Sequence, residues 1–178
     1  MIKKDISQIK VKKISQYIIL GIIVLFGVFY LYTKFSAAEK GDLAPDFETT
    51  LIDGTPFKLS NLQGKYVLLD FWGSWCGPCL KESPELVAIY KKHDNQLTIV
   101  TVALEKNLKS WKKVADKFGY TWKNQIVNQN RFVLLSDIAR KYGVSEIPAK
   151  FLISPKGELM GTYTFEQIDY LLSNSINN

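Results

Sequence analysis

Two stretches of the chain are almost continuously apolar, Tyr66–Trp72 (YVLLDFW) and Leu97–Leu104 (LTIVTVAL). Short runs rich in β-branched and aromatic residues are typical of strands buried on both faces of a sheet. Residues 45–65 instead alternate apolar and polar positions around Asp53-Gly54, which predicts a β-hairpin. A second hairpin is predicted where AKFLIS and ELMGTYT flank Pro155-Lys156-Gly157.

Apolar residues recur at helical spacing between and after these strands. The pattern predicts a helix after the first buried strand, with Leu86, Ile89 and Tyr90 on its apolar side. A second helix is predicted between Asn107, a suitable cap, and Gly119, a suitable stop. A short helix ending at Gly143 and a last helix over residues 165–172 follow, while residues 122–131 are ambiguous. The order β-β-β-α-β-α-α-β-β-α indicates an α/β protein with a mixed central sheet and helices on both faces.

A different pattern occupies the N-terminus, where 20 consecutive residues between Lys13 and Lys34 carry no charge. A helix of that length spans roughly the 30 Å hydrocarbon core of a bilayer. Tyrosines near both ends of the run fit the interfacial positions that aromatic residues favour, and the lysines before it predict a cytoplasmic N-terminus. We therefore predict a cytoplasmic segment (1–13), a transmembrane anchor or uncleaved signal (14–34), a linker (35–44) and an exported domain (45–178).

Two other interpretations of the apolar run compete with a membrane anchor. A buried core helix is disfavoured because the run has no charged face to turn towards solvent. A signal peptide cleaved after Ala38 remains open, since small residues precede that position and the start of the chain is basic. The run is longer than usual for a signal peptide, and Lys34 lies between it and the cleavage site, which favours the uncleaved anchor. Either interpretation exports the domain.

The net charge of +6 belongs to the N-terminal segment. Six lysines and Asp5 give +5 up to Lys34, and the 17 basic and 16 acidic residues that follow give only +1. The main domain therefore has no excess of positive charge with which to neutralise phosphates, and we predict no nucleic-acid partner.

Both cysteines of the chain, Cys76 and Cys79, lie in the segment FWGSWCGPC directly after the first buried strand. A C-x-x-C pair at the start of a helix places the first sulfur where unpaired N–H groups and the helix dipole stabilise a thiolate. We therefore predict that Cys76 attacks a substrate disulfide and that the better shielded Cys79 resolves the adduct. A structural role is disfavoured because so short a loop gains little from a disulfide.

Metal and haem chemistry fit this pair poorly. A structural zinc site needs four ligands, whereas the chain offers two cysteines and His93, which we expect to be a solvated residue at a helix end. Attachment of haem needs C-x-x-C-H, and Leu80 stands at the histidine position. We predict neither a metal nor a cofactor.

The segment DFWGSWCGPC resembles the active site of thioredoxins. Together with GDLAPDF, KYGVSEIPAKFLI and the N-terminal apolar run, it is similar to the TlpA/ResA-type branch of membrane-anchored thiol–disulfide oxidoreductases. The resemblance spans about residues 41–175. It implies a thioredoxin fold with an added N-terminal β-hairpin and an insertion after the active-site helix, preceded here by one transmembrane helix.

The resemblance also implies roles for individual residues. Cys76 and Cys79 match the attacking and resolving cysteines, and Pro148 matches a proline that follows a cis peptide bond and lies against them. The backbone of Ile147 would pair with a substrate strand. Trp75 and the intervening Gly77-Pro78 are expected at the docking surface, whereas Trp72 is expected in the core.

Two acidic residues are candidates for moving the proton. Asp70 lies inside the apolar strand, where desolvation should raise its pKa, and it matches the buried aspartate of thioredoxins. Glu82 matches a glutamate of the ResA-type branch and should lie beside Cys79, one turn away. A solvated position is the alternative for each of them, and the sequence does not decide which of the two moves the proton. Lys150 has no expected function beyond solvating a strand.

The leading prediction is an exported, membrane-tethered oxidoreductase that reduces protein disulfides, such as those of apocytochromes c, in the periplasm or its equivalent. A transmembrane thiol carrier would supply its electrons. A dithiol oxidant or isomerase is the alternative. A peroxiredoxin is disfavoured although GDLAPDF also opens that family, because Gly73 stands where the motif P-x-x-x-T-x-x-C needs threonine. A non-catalytic adaptor of the same fold is disfavoured because both cysteines are present.

Overall fold

The computed structural model describes residues 15–30, 39–129 and 132–174. The chain divides into two compact units, Met1–Ala37 and Ala38–Asn178. In the first unit residues 15–30 form a helix, α1, inside the predicted anchor (14–34). Among the described residues, none of the helices has the length and apolar character needed to cross a bilayer. The predicted cytoplasmic segment and the cleavage position Ala38 lie outside the described residues.

The second unit contains a five-stranded mixed sheet beside a small hairpin. The hairpin consists of β1 (Glu48–Thr50) and β2 (Pro56–Lys58), and the sheet of β3 (Tyr66–Trp72), β4 (Leu97–Leu104), β5 (Asn124–Asn128), β6 (Ala149–Ile153) and β7 (Leu159–Gly161). The order across the sheet is β5-β4-β3-β6-β7. The first three of these run parallel to one another, whereas β6 is antiparallel to both of its neighbours. Both predicted hairpins and the mixed sheet are confirmed.

Four helices accompany the sheet: α2 (Gly77–His93), α3 (Leu108–Phe118), α4 (Asp137–Lys141) and α5 (Phe165–Asn174). Short 3-10 turns cover Leu59–Leu62 and Val133–Leu135. The N-terminal cap and the C-terminal stop predicted for α3 are both observed. The Asn107 side chain accepts a hydrogen bond from the N–H of Ser110, and Gly119 ends the helix at a φ of 75°.

Alternate residues of the central strands face two separate cores. Leu68 and Trp72 of β3 face the core that contains α2, α3 and α5, and the expected core position of Trp72 is confirmed by its exposure of 1%. Val67, Leu69 and Phe71 face the other core, which contains the β1–β2 hairpin and α4. Helices therefore cover both faces, as predicted, and Asp70 shares the face of α2 because it alternates with Leu69 and Phe71.

Strand β5 was missed by the sequence pattern. It lies in the stretch that was left ambiguous and extends the sheet by pairing in parallel with β4. Its sequence, NQIVN, has polar residues at both ends because β5 is an edge strand, of which only Gln125 and Ile126 are buried. The true order therefore has a strand between α3 and α4.

The segment before β3 is attached to both edges of the sheet. At one edge the N–H of Gly41 donates to the carbonyl of Leu159, whose own N–H donates to the carbonyl of Asp42. At the opposite edge the N–H of Ile52 donates to the carbonyl of Gln125. Residues 41–44, which were assigned to the linker (35–44), are thus hydrogen-bonded into the domain.

The expectation that His93 is a solvated residue was wrong. Its side chain is buried, with an exposure of 3% for the residue, and its Nε2 lies 2.7 Å from Oδ1 of Asp169. Its Nδ1 lies 3.0 Å from the side-chain nitrogen Nε2 of Gln96. The charged neighbours in the sequence suggested a solvent-facing position, but the end of α2 packs against α5, and His93 is on the packed side.

Candidate active site

The cysteines lie where β3 leads into α2. Cys76 is the N-cap of α2, and the N–H of Cys79 donates to its Sγ over 3.2 Å. The two sulfurs are joined in a disulfide, so the structure represents the oxidised protein. This geometry directs N–H groups of the first helical turn at the Cys76 sulfur, which is the environment that stabilises a thiolate after reduction.

The expected difference in shielding between the two cysteines is small in this state. Cys76 is 5% exposed and Cys79 is 4% exposed. Gly77 and Pro78 between them are exposed, and Trp75 just before them is 42% exposed. The residues predicted for a docking surface therefore surround a disulfide that presents little surface of its own.

A buried glutamate fixes the loop in front of Cys76. Glu105 follows β4 and is 1% exposed, and its two carboxylate oxygens accept hydrogen bonds from the N–H and the hydroxyl of Ser74. The indole N–H of Trp75 donates to the carbonyl of Leu104 over 2.7 Å. A Cβ atom at Gly73 would lie 2.8 Å from that indole nitrogen, so only glycine fits there. Sequence reasoning missed Glu105, because nothing in the pattern places the end of β4 beside Ser74.

The segment before β6 lies against the disulfide. The Ile147–Pro148 peptide bond is cis, as the resemblance implied. The carbonyl oxygen of Ile147 lies 3.7 Å from the Cys76 sulfur. The backbone at Ile147 is therefore next to the atom at which a substrate sulfur would be attached.

Asp70 is enclosed beneath the cysteines. It is 4% exposed and lines a small cavity with Cys79, Glu82 and Tyr120. Burial raises its pKa to about 7; Lys150 opposes this rise and Glu82 adds to it. The alternative of a strand-end aspartate that reaches solvent is excluded, and the carboxyl group titrates in the range needed for a base near neutral pH.

Glu82 is bound by a residue that had no expected role. The ammonium group of Lys150 lies 2.5 Å from Oε2 of Glu82 and 4.8 Å from the ring centre of Phe165. Its side chain is only 12% exposed, against 37% for Glu82. The expectation that Lys150 merely solvates a strand was wrong, because Phe165 of α5 covers that position. The available signal was the register: once β3 and β6 pair, Lys150 stands directly opposite Asp70.

Two hydroxyl groups support the helix behind Cys79. The Ser83 hydroxyl donates to the carbonyl of Cys79 and lies 2.8 Å from the Tyr120 hydroxyl. Burial raises the pKa of Tyr120, which therefore stays protonated. Neither residue was singled out by the sequence.

The part of the chain that the structure describes contains no cluster of three or more His, Cys, Asp or Glu arranged to hold a metal ion.

The site can exchange disulfides. It has a sulfur at a helix N-terminus, a second sulfur within bonding distance, and a carboxyl group beside the second sulfur that can take up its proton. Asp70, Glu82, Pro148 and Ile147 are brought together around the two cysteines, and Trp75, Gly77 and Pro78 lie at their exposed side.

Known proteins are similar to this chain in sequence and in fold. The model of the AhpC/TSA family matches residues 40–161. Thiol-disulfide oxidoreductase ResA of Geobacillus kaustophilus is 37% identical over 145 residues, which are 78% of this chain and 79% of that protein. Thioredoxin-like protein YneN of Bacillus subtilis is 30% identical over 170 residues, 85% of this chain and 94% of its own.

A solved structure agrees with these relatives. The thioredoxin domain of a thiol-disulfide oxidoreductase from Bacteroides vulgatus aligns with a TM-score of 0.67 at 26% identity, over 76% of this chain and 99% of that domain. The thioredoxin fold is thus confirmed. With its C-x-x-C pair at the start of α2, the chain belongs to the ResA/thioredoxin-like family of thiol–disulfide oxidoreductases, which carry an AhpC/TSA domain.

Proposed function

We propose that this oxidoreductase is a membrane-tethered reductase of disulfides in exported proteins. The observation that carries the exchange chemistry is the buried Asp70 carboxyl, which lines one cavity with Cys79 and whose pKa burial raises to about 7. A base in that position serves the second half of a reduction, in which Cys79 must lose its proton to release the product.

The reaction proceeds in two exchanges. In the reduced protein the Cys76 thiolate attacks a substrate disulfide, forming a mixed disulfide and releasing one substrate thiolate, which takes a proton from solvent. The Cys79 thiol then gives its proton to Asp70, and its thiolate attacks the Cys76 sulfur. The Cys76–Cys79 bond forms as the bond to the substrate breaks. Two electrons pass from the protein dithiol to the substrate, which leaves as two thiols.

The proposed direction rests on the residues between the cysteines. Gly77-Pro78 is the dipeptide of reducing thioredoxins, whose potential is about −270 mV. The proposed substrates are exported proteins with disulfides, among them an apocytochrome c before haem attachment. Outside the cytoplasm the protein must be reduced again, and a transmembrane thiol carrier is the proposed donor.

The direction is tested by the midpoint potential of the Cys76–Cys79 couple in the full-length protein, measured against glutathione and dithiothreitol buffers. We expect a value near that of reducing thioredoxins, together with catalysed reduction of insulin and no comparable turnover of hydrogen peroxide. A potential well above about −180 mV would identify an oxidant instead. Cys79→Ala should trap substrates on Cys76, whereas Cys76→Ala should trap none.

The proposed location rests on the uncharged run between Lys13 and Lys34 and on the lysines before it. We expect the protein to fractionate with the cytoplasmic membrane, and a membrane-impermeant maleimide to label reduced Cys76 in intact spheroplasts. Deletion of residues 1–34 should leave the protein in the cytoplasm. Labelling only after lysis would contradict the export of the domain.

A further inference from the structure

Among the described residues, Lys150 is the one cation that forms an ion pair with Glu82 and acts electrostatically on Asp70. It lies on β6, directly opposite Asp70 of β3 in the antiparallel register. Side chains of such a pair stand on the same face of the sheet, with Cβ atoms about 5 Å apart. Its ammonium group is ion-paired with Glu82 of α2 and lies over the ring of Phe165 from α5. Three elements thus fix one positive charge beside the buried base.

The other groups that face Asp70 carry no positive charge. From α2 come Cys79 and Glu82, from the loop after α3 comes the protonated Tyr120, and from the neighbouring strand β4 the opposite residue is Thr101. Helix α5 contributes the apolar ring of Phe165. Within the described residues, the charge state of Asp70 is therefore set by its burial, by the anion at Glu82 and by the cation at Lys150.

We propose that Lys150 is a positioning residue of the reaction, and that its ammonium group, held by Glu82 and Phe165, keeps Asp70 ionised often enough to accept the Cys79 proton at neutral pH. The inference rests on the proposed role of Asp70 as the proton acceptor. Glu82 acts in two ways. Its negative charge opposes the ionisation of Asp70, and its ion pair holds the ammonium group of Lys150 in place.

This arrangement predicts opposite effects of the two charges. Removal of the cation in Lys150→Met should raise the pKa of Asp70 by about one unit, since a nearby opposite charge lowers a carboxyl pKa by about one to three units. Removal of the anion in Glu82→Gln should lower it. The double variant should lie closer to the wild type than either single variant, because both charges are lost together.

The pKa of Asp70 can be measured directly by 13C NMR of the full-length protein in detergent with labelled aspartate. Asp70→Asn identifies the Asp70 signal. Lys150→Arg keeps the charge and should stay near the wild type. Lys156→Met removes the same charge from an exposed position of the same hairpin and serves as the matched control.

The effect on the reaction can be followed by stopped flow with 5,5′-dithiobis(2-nitrobenzoate). The reduced protein releases one thionitrobenzoate when Cys76 is modified and a second when Cys79 resolves the adduct. With Asp70 half ionised at pH 7 in the wild type, a rise of one pKa unit leaves about a tenth ionised. The second phase of Lys150→Met should therefore be about fivefold slower at pH 7 and recover at higher pH.

The outcomes separate the inference from the proposed function. An unchanged pKa of Asp70 in Lys150→Met would overturn the inference and leave the role of Asp70 intact. A shifted pKa with an unshifted pH profile of the second phase would overturn Asp70 as the proton acceptor, and the inference with it. If Lys150→Met does not fold, Lys150→Gln removes the same charge with a polar side chain and decides the same question.

Discussion

At the scale of single residues, the burial of the Asp70 carboxyl group lowers the stability of the fold, and only its function explains why it stands there. A carboxyl group enclosed on the α2 face of the sheet, in one cavity with Trp72, Leu86 and Phe165, loses its hydration, and this burial raises its pKa from 3.8 to about 7. Above pH 4 the unfolded chain releases this proton while the folded protein keeps it. Folding therefore becomes less favourable as the pH rises towards 7.

Asp70→Asn should remove this pH dependence. A pKa that is about three units higher in the folded protein corresponds to roughly 4 kcal/mol, so the variant should gain up to that amount over the wild type between pH 4 and pH 8. Urea unfolding of the oxidised proteins at pH 4.5 and pH 8.5 measures the change, with the exposed Asp116→Asn as control. An equal difference between Asp70→Asn and the wild type at both pH values would contradict the raised pKa.

The sequence predicted Asp70 and the cysteines but not Lys150 or Glu105. Asp70 is conspicuous because it interrupts an apolar run, and the cysteines because of their spacing. Lys150 and Glu105 are ordinary charged residues near strand ends, and they acquire a role only through contacts across the sheet. Their partners are 68 and 31 positions away, distances that no local pattern encodes.

At the scale of elements, the bounds of a strand could be predicted from its apolar run where both faces of the strand are buried. They could not be predicted where the strand lies at an exposed edge. The bounds of β3 and β4 match the apolar runs, because both faces of these strands lie in a core. Strand β5 was missed because its ends are polar, and the segment 41–44 was assigned to a linker because its attachment is made by backbone groups. Backbone hydrogen bonds leave no trace in the side-chain pattern.

The attachment of this segment can be tested by truncation. A chain that begins at Ala38 keeps the bonds from Gly41, Asp42 and Ala44 to the β6–β7 hairpin, whereas a chain that begins at Pro45 loses all three. At about 1 kcal/mol net for each bond, the free energy of unfolding should be about 2–4 kcal/mol lower in the shorter chain. Equal stabilities in urea would show that the segment is only a linker.

At the scale of the whole molecule, the predicted order of elements indicated a mixed α/β sheet although it lacked β5, and the resemblance carried by DFWGSWCGPC implied the thioredoxin fold. Two buried strands joined through a helix favour a parallel pair, and the β6–β7 hairpin supplies the antiparallel part of the sheet. The position of His93 could not be predicted, because its burial depends on how α5, a distant helix, packs on the end of α2. Contacts between elements that are distant in the sequence could be found only from the structure.

The segment before β3 is attached to both edges of the sheet, and this attachment has a consequence for self-association. Open sheet edges are templates on which an unfolded polypeptide can add a strand and begin to aggregate. Here Leu159 at one edge and Gln125 at the other already have backbone partners from the same chain. Pairing with another polypeptide at these positions is thereby blocked.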